Sequence, residues 1–80
     1  MIDTEINILK KQILEQLDFF LTVYKRDSGL DSTNFIYMCA DILNDLEAYQ
    51  DGIKLSFLEL SKRAKSVLKQ CNEYRVENLS

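Results

Sequence analysis

Two glycines, Gly29 and Gly52, and no proline divide the 80 residues into three stretches, each repeating its apolar residues at intervals of three and four. Such spacing lays side chains along one face of a 3.6-residue helix. A chain interrupted only twice, with a helical period on both sides of each break, is restricted to three helices joined by two tight turns.

The first helix is predicted over about 4–26. Ile6, Leu9, Ile13, Leu17, Phe20 and Tyr24 form its inner stripe, and Leu14 and Leu21 widen it. Lys25 and Arg26 suit the negative end of the helix dipole, and Ser28-Gly29 offers a left-handed cap. At about 1.5 Å per residue this helix is roughly 35 Å long, the scale of a small bundle. The second is predicted over about 32–50, with Asp31 or Ser32 as N-cap and Asp51-Gly52 as the stop. Phe35, Cys39, Ile42, Leu46 and Tyr49 face inward, supported by Ile36 and Leu43.

The third, over about 56–77, opens on a capping box of Ser56 and Glu59, with Leu55 and Leu60 at the hydrophobic-staple positions. Its inner stripe is Leu60, Ala64, Val67, Cys71 and Tyr74, with Phe57 and Leu68 at the margin. Short connections make consecutive helices antiparallel. The expected fold is therefore all-α, a single-domain three-helix bundle running up, down and up over residues 1–80. So short a chain buries a small fraction of its surface, so dimerisation is a second way to complete the core.

Charge is unevenly distributed along this frame. Residues 27–53 contain Asp27, Asp31, Asp41, Asp45, Glu47 and Asp51 and no basic side chain, whereas residues 54–80 contain Lys54, Lys62, Arg63, Lys65, Lys69 and Arg75 against Glu59, Glu73 and Glu77. Neighbouring segments usually pack together, so the acidic second helix should attract the basic third, with Lys54 and Arg63 turned toward it.

Several chemistries are closed by composition. Without any histidine, Ser-His-Asp and Cys-His catalysis and the common zinc sites cannot be assembled within this chain. Cys39 and Cys71 lack a Cys-x-x-Cys spacing and fall on apolar stripes, which predicts thiols packed as small hydrophobes. Arg75, four residues beyond Cys71, keeps a reactive thiol as the alternative. No enzyme activity, cofactor or metal is expected. No apolar run reaches the roughly 18 residues of a membrane span, and the acidic start lacks the basic and apolar regions of a signal peptide, so a cytoplasmic location is expected. Asn78-Leu79-Ser80 matches a glycosylation pattern only by chance in that setting.

Three surfaces are candidates for function. Ile8, Phe19 and Val23 fall outside the main stripe of the first helix and offer a second apolar contact. Tyr37, Asp41 and Asp45 form an acidic, aromatic face on the second, suited to a basic partner. Lys62, Lys65 and Lys69 make a row on the third that would meet phosphates. A net charge of −3 and the lack of a nucleic-acid-binding motif rank the last below the others. The chain is accordingly expected to be a non-enzymatic interaction module, of the adaptor, chaperone or inhibitor kind, that binds another protein or a second copy of itself. The alternative is a nucleic-acid-associated regulator using the lysine row.

Overall fold

The computed structural model describes residues 2–27 and 30–78, which form α1 (Ile2–Asp27), α2 (Leu30–Gln50) and α3 (Phe57–Asn78). Side-chain pairs between the helices establish their directions. Lys10 donates to Gln50 Oε1 at 2.9 Å, and Gln50 Nε2 donates to Asn7 Oδ1 at 2.9 Å, so the start of α1 lies beside the end of α2. Phe35 with Tyr74, Cys39 with Cys71, Asp45 with Arg63 and Tyr49 with Phe57 then step along an antiparallel α2–α3 seam. Phe20 meets Tyr74 and Gln16 meets Asn72, which runs α3 parallel to α1. The result is the up-down-up three-helix bundle, 38 × 19 × 16 Å in extent.

Burial follows the apolar stripes. Ile6, Leu9, Ile13 and Phe20 from α1 pack with Cys39, Ile42, Leu43 and Leu46 from α2 and with Leu60, Ala64 and Cys71 from α3. At one end, Phe20 stacks on Phe35 with 4.8 Å between ring centroids, and Tyr74 closes the group at 5.9 and 4.9 Å from the two. Each helix thus contributes one aromatic ring to a single cluster, in the offset and tilted arrangements that ring quadrupoles favour.

The helix ends show local chemistry at work. Ser56 Oγ accepts the Glu59 amide at 3.3 Å, satisfying one of the amides left unpaired at the start of α3. At the end of α2 the Ile53 amide bonds to Ala48 O and the Gly52 amide to Tyr49 O, both at 3.1 Å, a Schellman pair built around Gly52 at φ 95°. The expected cap at Ser28-Gly29 lies outside the described residues.

Two expectations are corrected. Helix α2 begins at Leu30, so Asp31 and Ser32 belong to its first turn and neither is the N-cap; Ser32 is buried there. In α1, Leu14 and Leu21 do not widen the buried face but stand 51% and 39% exposed, and Tyr24 is also exposed, while Phe19 and Val23 turn half inward. On the opposite edge of the stripe, Gln16 is only 9% exposed. Its Nε2 donates to Asn72 Oδ1 at 3.1 Å and its Oε1 accepts from Arg75 Nη1 at 3.1 Å, so a polar residue occupies the interface with α3. The buried face is rotated from the purely apolar stripe by about half of the ~100° between successive residues.

Gly52→Ala should lower unfolding stability by about 1 kcal/mol in urea titration, because a left-handed backbone disfavours any Cβ. No atom lies within 4 Å of the position that Cβ would take, so the penalty is conformational rather than steric. Ser56→Ala should cost about the same through the lost cap. Unchanged midpoints in both variants would contradict this account of the turn.

Candidate interaction surfaces

Arg75 organises the seam between α1 and α3. Besides its bond to Gln16, its guanidinium lies 3.9 Å from the centroid of the Phe19 ring, which meets Phe20 edge to face at 5.2 Å and 88°. Phe19 is thus sandwiched between a cation and the aromatic cluster. Val23 is half-buried, and Ile8, which is exposed, lines a shallow cleft between α1 and α3 with Glu5, Gln12, Ser61 and Lys65. Of the three apolar residues singled out on the first helix, Ile8 alone stands largely in solvent.

The acids of α2 divide in the same way. Asp45 is half-buried and pairs with Arg63 Nη1 at 2.7 Å, while the largely exposed Asp41 approaches Arg63 Nη2 at 3.8 Å. Among the described residues Arg63 is the one α3 cation in an ion pair with an α2 carboxylate; Lys54 is exposed. Tyr37 points straight out, 70% exposed, above a shallow surface that it shares with Met38, Ala40, Asp41 and Asn44. Phe19 and Asp45 are therefore engaged with α3 on its two seams, and the six partner-binding candidates do not converge on one patch.

The lysine row is present on the outer side of α3. Lys62, Lys65 and Lys69 are all exposed, with Lys69 3.9 Å from Glu73 one turn on and Lys65 turned toward the Ile8 cleft. Glu73 and Glu5 temper the positive field that the row projects.

Two leucines that periodicity places on the inner face of α1 are exposed. Asn7 contacts Gln50, and stepping seven residues along each antiparallel helix brings Leu14 beside Leu43 and Leu21 beside Ile36. Leu43 is buried and Ile36 half-buried, whereas Leu14 and Leu21 are exposed on the α2 side of α1. Leu14 shares a shallow depression on α1 with the charged residues Lys10, Lys11, Glu15 and Asp18.

The cysteines, distant in sequence, meet inside. Cys39 Sγ and Cys71 Sγ are 3.9 Å apart, both free and both fully buried. A thiol–thiol hydrogen bond, with burial added, holds Cys39 above the ordinary thiol range. Cys71 is lowered by its hydrogen bond with Cys39, against its burial and with help from the Arg75 charge. Among the described residues no group of three or more Cys, Asp or Glu side chains is arranged to hold a metal ion, and no helix is long and apolar enough to cross a membrane.

The two arginines should separate energetically. Arg75→Ala is expected to cost about 1–2 kcal/mol, because it removes a cation–π contact and a hydrogen bond to a buried amide. A double-mutant cycle on the half-exposed Arg63–Asp45 pair should return about 0.5 kcal/mol and shrink with added salt. A larger loss at Arg63 than at Arg75 in urea unfolding would reverse this assignment.

No protein-family model, curated protein or solved structure matches this chain.

Proposed function

We propose that the chain is a non-enzymatic, cytoplasmic interaction module whose α1–α2 face binds another protein. What supports this most is the seam of Leu14 and Leu21, two large apolar side chains two turns apart, left in water although neighbouring α2 leucine Leu43 is buried. Single exposed leucines are ordinary on protein surfaces; two on one stripe, two turns apart, are a pattern that an amphipathic partner helix can cover. Tyr37, on the outer side of α2, adds a residue type enriched at binding hot spots, with the Asp41 carboxylate beside it to favour a basic flank on the partner. Burial of the leucines supplies affinity in this mechanism, and Tyr37 with Asp41 selects the partner.

The lack of histidine and of any enclosed polar pocket among those described also fits binding rather than catalysis. A nucleic-acid role for Lys62, Lys65 and Lys69 has less support, because Lys69 lies beside Glu73 and the chain is acidic overall.

The test compares affinity capture from native cell lysate by the wild-type chain and by a Leu14→Asp/Leu21→Asp variant, with circular dichroism confirming equal helix content. A discrete protein retained by the wild type should be lost with the variant, and Tyr37→Ala should weaken capture several-fold. Sedimentation of the purified chain shows whether a second copy is that protein. Equal capture by both forms would remove the α1–α2 face from consideration, and recovery of salt-labile nucleic acid in place of protein would transfer the function to the lysine row.

A further inference from the structure

We propose that Cys39 and Cys71 are a built-in oxidation site, at which a hydroperoxide converts the facing thiols to a disulfide that locks α3 onto α2. The pair occupies facing positions on antiparallel helices, midway along a seam whose register is fixed on one side by Phe35 with Tyr74 and on the other by Asp45 with Arg63. The sulfurs need to approach from 3.9 Å to the roughly 2.05 Å of a disulfide, a movement of the order that side-chain rotation supplies. Nothing intervenes, since each sulfur is the other's hydrogen-bond neighbour.

The chemistry balances with one equivalent of oxidant. The Cys71 thiolate, favoured by Arg75 one turn away, attacks a peroxide oxygen. The O–O bond breaks, the leaving oxygen departs as water once protonated, and Cys71 becomes a sulfenic acid. The Cys39 sulfur then attacks that sulfenic sulfur; the S–O bond breaks and the oxygen leaves as a second water, carrying the Cys39 proton. Two thiols and one hydrogen peroxide give one disulfide and two waters. A dithiol such as dithiothreitol reverses the bond by exchange.

Both thiols are fully buried, so peroxide reaches them only through the openings that expose the core. Oxidation therefore captures an open state and closes it covalently. The bond spans a sequence separation of 32 residues, which removes loop entropy from the unfolded chain. The oxidised bundle is more stable and less able to open.

The full reduced chain is incubated, folded, with a small excess of hydrogen peroxide and then alkylated. Intact mass should fall by two hydrogens, with no alkylation. Tryptic digestion without reductant should join the peptide 27–54, which contains Cys39, to the peptide 70–75, which contains Cys71. The Tm should rise by about 10 °C or more and return after dithiothreitol. Cys71→Ser, or Cys39→Ser if the first fails to fold, should abolish the mass loss. Oxygen adducts on unpaired thiols, a disulfide between two chains, a lower Tm, or no reaction unless the chain is first unfolded would each overturn the proposal.

Discussion

Everything at the α3 end of this bundle depends on Phe20. Its ring is fully buried, stacks on Phe35 from α2, meets Tyr74 from α3 and receives the edge contact of Phe19, whose other face carries Arg75. One side chain thus touches all three helices. Truncating a buried phenylalanine typically costs about 3–5 kcal/mol, a large part of the roughly 5–15 kcal/mol that holds a domain together. With the cluster in place, the register of α3 is determined, and Cys71 is delivered to Cys39 one turn further along the seam.

Charge plays a smaller part than its distribution along the chain implies. The acidic and basic segments do face each other, but direct pairing between α2 and α3 comes down, among the described residues, to Arg63 with Asp45 and Asp41. Those side chains are substantially solvated, and water screens most of the attraction. Polar contacts matter more where they are shielded. Gln16, bonded at both ends of its amide, lies in the α1–α3 interface, while Leu14 and Leu21 stay outside.

Much of this fold was legible in the chain, for identifiable reasons. Gly52, Ser56 and the inner stripes of α2 and α3 are local signals: caps need particular side chains at particular offsets, and a 3.6-residue period places Cys39, Ile42 and Leu46 on one face whatever they pack against. Failures came where a neighbour decides. Periodicity counts glutamine as surface, so although it places Ile6, Leu9, Ile13, Leu17 and Phe20 on the core side, it widens the α1 stripe toward Leu14 and Leu21 and takes Phe19 and Val23 for the extra apolar residues. The start of α2 at Leu30 was missed because Asp31 and Ser32 carry the chemistry of a cap without occupying the position. The cysteine pair was invisible because a separation of 32 residues acquires meaning only from the α2–α3 register. The candidate surface was legible in kind, a helix with more apolar residues than one neighbour covers, but not in which residues those are.

Helix α3 is integral to the core, docked along its length by the Phe20 cluster at one end and Leu60 and Ala64 at the other, rather than resting on an α1–α2 hairpin. Residue-resolved amide hydrogen exchange distinguishes the two. The account predicts that amides of α3 from Ala64 to Cys71 exchange as slowly as those of Ile13 in α1 and Ile42 in α2, through openings that expose the whole core. Exchange across α3 that is uniformly much faster, while α1 and α2 stay protected, would contradict it and describe a hairpin with a loosely attached helix.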